Sequence, residues 1–459
     1  MGLEHEGKKP ASLILPEKAR PSLVTSRRRL LQGGTTALLL AGLGTWARPL
    51  QAMAGDAEIT VDKAHQDPIP VLVPVFNGPY GAQISSVVGA DLDSTGLFRV
   101  MGGPAEATPD LAALKARGLR AAVEGTVSGS GTLRVEMRLW DVTSGQLLQG
   151  TAYSAPANDW RRIAHIIADA IYERLLGEPG YFDTSIAYIA RTGPRRHQQT
   201  RLAIMDYDGA NVRYLTSGRW LTLEPRFSPS GTQVAFLSYA DNRPRVYLYD
   251  LPTGQQRLLG QFEGISYAPR FAPDGRSVVL AVTTRNGGSD IYSVDLGTGT
   301  RHQLTDAPGV IDTSPCYSPD GRQIVFNSDR GGSPQLYVMN ADGSGAHRIS
   351  YGAGHYGSPV WSPRGDLIAF TRMQHGQFSL GVMNPDGSGE RTLTRGFTVE
   401  SPSFAPNGRE IVFCRQNAAG QGGAGFSSSL GMIDVSGFNE HTVRTPTGAS
   451  DPAWSPLRH

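Results

Sequence analysis

Glu224, Asp312, Glu400 and Asp451 each stand just before a segment of the form Pro-x-aromatic. Carboxylates that return at one point of a repeat could converge on a ring, and oxygen ligands in a ring suit a weak Ca²⁺ site. The same groups could instead accept hydrogen bonds from neighbouring loop amides. That plainer reading is preferred, so neither a metal nor a cofactor is expected. His302, His347, His355 and His375 fall in different repeats and different loops. Nothing in their spacing makes an H-E-x-x-H helix or a His/Cys zinc cluster, and no G-x-S-x-G nucleophile elbow occurs. No catalytic residue is therefore expected. Cys316 and Cys414, the two cysteines, fall on non-adjacent repeats, too far apart for the ~7 Å limit of a disulfide. Both should be buried thiols.

These residues sit in a repeat. SPSGTQVAF from Ser228, APDGRSVVL from Ala272, SPDGRQIVF from Ser318, SPRGDLIAF from Ser362 and APNGREIVF from Ala405 share one pattern. A truncated copy, PAWSP, starts at Pro452. Pro-x-aromatic precedes or opens each: Pro225, Pro269, Pro315, Pro359, Pro402 and Pro452, spaced 44, 46, 44, 43 and 50 residues apart. Pro-Asp-Gly suits a turn, and the β-branched and aromatic run after it suits a strand. A period in the forties built of short strands is a propeller signature.

One unit parses into strands A (315–318), B (323–328), C (335–340) and D (346–350), with turn residues between them. Five full units span about 222–447. Residues 185–217 supply strands B, C and D without A, and residues 451–459 supply A alone. The two chain ends together complete a sixth blade, which leaves no open sheet edge.

Residues 58–180 lack the repeat. The sequence predicts a strand at 70–76, helices at 80–93 and 110–117, and a meander at 120–127, 133–141 and 146–154. Asn158 or Asp159 is placed to cap a last helix, in which Trp160, Ile163, Ala164, Ile167, Ile171 and Leu175 form one apolar stripe. A small α/β domain, with helices packed on a mixed sheet, is the expectation.

The first 54 residues differ again. Ser26-Arg27-Arg28-Arg29-Leu30-Leu31, an apolar run at 35–46 and the small residues around Ala52-Met53-Ala54 have the layout of a secretory signal of twin-arginine type. The apolar run falls short of the ~20 residues that span a bilayer, so no direct membrane span is expected. The leader holds eight Lys/Arg and three Asp/Glu, and without it the chain carries 35 basic and 38 acidic side chains. That balance offers no basic face for nucleic acid.

The whole layout resembles the TolB family of periplasmic propeller proteins of the Tol–Pal system: a leader (1–54), an α/β domain (55–180) and a six-bladed propeller (181–459) closed by the C-terminal strand. The resemblance implies a non-enzymatic, monomeric periplasmic scaffold that links TolA to the lipoprotein Pal for outer-membrane integrity and cell division. It implies a TolA-binding segment at Asp56, Ala57, Glu58, Ile59, Thr60, Val61 and Asp62. It also places Pal around the channel mouth. Strand direction puts the near-constant A–B and C–D turns on one face and the variable D–A and B–C loops on the other. Binding residues concentrate on variable loops, so Glu224, Tyr267, Asp312, His355, Tyr356 and Glu400 are the expected Pal contacts. The N-terminal domain should sit at the constant-turn face. An exported propeller hydrolase and a propeller binding a small ligand in its channel are the alternatives.

Overall fold

Apolar alternation builds the first domain. In the computed structural model the described residues are 67–105, 108–193, 197–418 and 427–458, all within one compact unit, Asp62–His459. The leader and the segment Asp56–Asp62 lie outside them. Strand β1 is Ile69–Leu72, helix α1 Gly81–Ser94, β2 Phe98–Met101, α2 Leu111–Ala116, β3 Ala121–Ser128, β4 Thr132–Asp141, β5 Leu147–Pro156 and α3 Trp160–Leu176. The sheet order is β2-β1-β3-β4-β5. β1 pairs parallel to β2 and β3, while β3, β4 and β5 form the antiparallel meander. Leu133, Val135, Met137 and Leu139 alternate inward on β4. Ile163, Ala164, Ile167 and Ile171 bury the expected face of α3, with His165 and Tyr172 buried beside them.

Two local expectations fail and one strand, β2, is additional. β1 stops at Leu72 because Pro74 has no amide to give the ladder. β2 escaped notice because four residues ending at Gly102-Gly103 are too short to show a period. Asp159 precedes α3 but its side chain makes no capping hydrogen bond; a 3-10 turn, Ala157–Asp159, leads into the helix instead.

The rest of the chain forms six four-stranded sheets. Blade four is typical: Asp312–Tyr317, Gln323–Ser328, Gln335–Asn340 and His347–Arg348. Gly321, at φ 72°, closes the A–B turn, a conformation that favours glycine. Ile324, Val325 and Phe326 are fully buried. Tyr188, Phe236, Leu280, Phe326, Phe370 and Phe413 recur at one position of strand B and are all buried, and all but Tyr188 belong to clusters that join neighbouring blades. In blade one the C-terminal strand Gly448–Trp454 pairs antiparallel with Ser185–Thr192, from Gly448 opposite Arg191 to Trp454 opposite Ile186. Blade one is thus closed by both halves of the chain, as the truncated repeats imply.

The innermost strands are longer than expected and bulged. In blade four strand A starts at Asp312, not Pro315. In every blade the residue before the repeated proline has positive φ, between 48° and 56°: Glu224, Ala268, Ser314, Ser358, Ser401 and Asp451. The register shifts at the same place. Proline has no amide for the ladder, and a bulge moves it out of the pairing.

Candidate functional site

The propeller offers two faces and a channel, and backbone direction assigns each side chain to one of them. The N-terminal domain meets the constant-turn face. Glu178, just after α3, accepts hydrogen bonds from Arg364 and Arg409, which flank A–B turns of blades five and six. Asn407 donates to the Pro179 carbonyl, 3.0 Å away, and Asn439 to the Ser94 carbonyl. Arg161 pairs with Asp208 in the C–D turn of blade one. Tyr181 and Phe182 pack with Tyr207 and Trp454 in one aromatic cluster. Deeper in this seam, Asp91 Oδ2 lies 2.7 Å from His165 Nδ1, and Asp91 Oδ1 accepts from Tyr207 Oη at 2.7 Å.

The variable loops occupy the opposite face, and the six expected docking residues divide there. His355 is exposed; Glu224, Tyr267 and Glu400 are half-buried. Tyr267 donates its hydroxyl to Ser289 Oγ at 2.9 Å. Asp312 has no exposed surface, and Arg330 donates to it at 2.8 Å. Tyr356 is 2 % exposed, with its ring against Phe370 and its hydroxyl bonded to Glu390. Burial removes Asp312 and Tyr356 from direct contact with a partner in this conformation.

The four acidic residues do not form one ring. Glu224 and Asp451 directly precede their prolines, whereas Glu400 stands two residues ahead and Asp312 three. Each has a partner: Glu224 Oε2 accepts from the Ala268 amide (2.7 Å), Glu400 from Gln416 (2.8 Å) and Asp451 from Ser450 Oγ (2.7 Å). Burial raises the pKa of Glu224, with Arg226 opposing; burial and the nearby Asp451 raise that of Glu400.

The channel is lined by the x residue of each Pro-x-aromatic motif: Arg226, Arg270, Cys316, Val360, Ser403 and Ala453, around a cavity of about 260 Å³. Burial and the neighbouring guanidinium of Arg226 push Arg270 down to about 9. Cys316 and Cys414 are both buried and free, as expected. Burial pushes the Cys414 thiol up to about 12, which makes it inert. His302, His347 and His375 stay exposed on blades three, four and five, but His355 shares blade five with His375, so the four histidines do not all fall in different repeats.

The sequence reading missed an apolar rim. Leu221, Ile265 and Ile311 are 42–44 % exposed at the position four residues before the repeated proline, and His355 occupies that position in blade five. Phe397, 56 % exposed, lies one residue further out in blade six. Aligning the repeats on their prolines would have shown this. Beside Ile265 a groove of about 1010 Å³ is lined by Arg243, Arg245, Arg285 and Arg301, with Phe262 and Glu263. Exposed apolar side chains rimmed by charge suit a protein partner.

Comparison with known proteins places this geometry. Residues 172–458 match the family model described as the TolB beta propeller domain, and residues 57–148 match the TolB amino-terminal domain. The chain is 65 % identical over 445 residues to the Tol-Pal system protein TolB of Gluconobacter oxydans (strain 621H), covering 95 % of this chain and 97 % of that protein. The crystal structure of TolB from Acinetobacter baumannii superposes with a TM-score of 0.77 at 29 % identity, covering 85 % of this chain and 97 % of that one.

Proposed function

The chain belongs to the TolB family, a non-enzymatic envelope component of the Tol-Pal system, and from that premise we propose that it works in the periplasm as a two-ended protein adaptor. One end is the segment Asp56–Asp62, which takes TolA. The other is the variable-loop face, which takes Pal and so couples the inner-membrane machinery to the outer membrane, for envelope integrity and at division.

The observation that carries this reading is the division of labour between the two faces. The polar bonds and ring contacts described between the N-terminal domain and the propeller run through constant turns and the C-terminal strand, whereas the variable face carries Leu221, Ile265, Ile311, His355 and Phe397 in the open. No described helix is long and apolar enough to cross a membrane.

The test is capture of purified Pal by the double variant Ile265→Asp/Ile311→Asp, with folding checked by thermal melt. Both side chains are already partly solvated, so the melt should move little. Interface anchors commonly cost 2 kcal/mol or more when removed, so capture should fall by at least about tenfold. A folded double variant that captures Pal as wild type does would move the site elsewhere.

A further inference from the structure

The seam between α3 and blade one holds a polar cluster that neither partner docking nor blade closure explains. One ring nitrogen of His165, one oxygen of Asp206 and one of Asp208 lie within 4.8 Å of one another. His165 has no exposed surface. Its Nδ1 is held by Asp91 at 2.7 Å, and its Nε2 is buried without a hydrogen-bond partner. Buried polar atoms are seldom left without a partner, so this nitrogen calls for a ligand.

We propose that His165, Asp206 and Asp208 form a divalent-metal site, suited to Zn²⁺, that staples the N-terminal domain to blade one. The arrangement has the usual order of a zinc-binding histidine: one ring nitrogen oriented by a carboxylate, the other turned to the metal. Asp91 is in turn fixed by the Tyr207 hydroxyl at 2.7 Å. One nitrogen and two carboxylates, completed by water, make a four-coordinate N/O set for Zn²⁺. Ca²⁺ asks for six to eight oxygens and Mg²⁺ for an octahedron rich in water, so neither fits a set of two carboxylates and an imidazole as well as Zn²⁺ does.

Charge favours a cation here. Among the described residues, Asp91, Asp183, Asp206 and Asp208 face three guanidiniums, those of Arg161, Arg162 and Arg458, and the neutral imidazole that a metal requires leaves one carboxylate charge over. Asp206 also accepts from Asn211 at 2.7 Å, and Asp208 from the Ala210 amide at 3.1 Å. The metal takes the lone pair of Nε2; any proton there leaves to solvent. Arg161, which now donates to Asp208, gives way to the ion. Arg161 is 24 % exposed and lies 5.9 Å from the Trp160 ring centroid, so its guanidinium can turn to water while keeping that stacking.

The experiment is calorimetric titration of chelator-treated protein with Zn²⁺, with melting temperatures read in Zn²⁺, Mg²⁺ and Ca²⁺. One Zn²⁺ per chain and a raised melting temperature with Zn²⁺ alone are expected. Asp208→Asn, at a half-buried turn position that tolerates an isostere, should fold and lose the binding. Asp91→Asn, which removes the carboxylate that orients the imidazole, should weaken it roughly 10–100-fold. His347→Gln, on the surface of blade four, should change nothing. Absence of both heat and melting shift in wild type overturns the site. So does Zn²⁺ binding that persists at full affinity in folded Asp208→Asn, which would place the ion on surface histidines.

Discussion

Ala268 shows what one residue must do inside a bulged strand. Its φ is 49°, and backbone of this kind costs on the order of 1–3 kcal/mol for a residue other than glycine. The Glu224 carboxylate of the neighbouring blade receives its amide at 2.7 Å, so a side chain of one repeat supports the strain of the next. Replacing Glu224 by Ala leaves that half-buried amide without an acceptor. We expect a loss of roughly 1–3 kcal/mol in urea unfolding, and recovery of most of it in Glu224→Gln, whose amide oxygen can still accept. Equal stability of wild type and Glu224→Ala would mean that water already serves the amide.

At the scale of the element, the decisive piece is the C-terminal strand. Trp454 donates its indole to Thr184 Oγ1 at 2.8 Å, and its amide donates to Ser403 Oγ at 2.9 Å. Its ring meets Tyr181 with centroids 5.6 Å apart. One residue thus reaches the interdomain linker and blade one through its side chain and blade six through its amide. Trp454→Ala should cost roughly 3–5 kcal/mol, the usual range for a large aromatic lost from a core. The damage should include light scattering on warming, because release of this strand exposes the edge of Ser185–Thr192 to other chains. A melt unchanged within a degree would show that the other six residues of the strand hold the ring closed.

Across the whole molecule, the domain seam carries a pH signature. Asp169 on α3 accepts the amides of Phe182 and Asp183 at 2.7 and 2.9 Å. Burial nevertheless pushes its pKa up to about 7 from 3.8, with the backbone bonds opposing. A carboxyl with a raised folded pKa binds its proton more tightly in the folded state. Its contribution therefore favours folding at low pH and is lost as pH rises from about 4 to about 7. Urea midpoints at pH 5 and pH 8 should fall more in wild type than in Asp169→Asn. An identical fall in the two proteins would show that Asp169 titrates normally.

Much of the architecture is legible in the sequence because it is local and repeated. Turn chemistry and strand alternation act over fewer than ten residues, and six copies of one grammar make the blade count and the shared closing blade readable from truncated units. The bulge before each proline follows from local chemistry too, yet it shows only in the register. What local pattern does not carry is which side chains meet across the fold. Tyr356 and Asp312 look like loop contacts, but neighbouring strands bury them. Asp91, His165 and the Asp206–Asp208 turn are far apart along the chain and share no motif; only the docking of α1 and α3 on blade one brings them together. Burial and long-range approach are properties of packed surfaces, so the tertiary structure alone decides them.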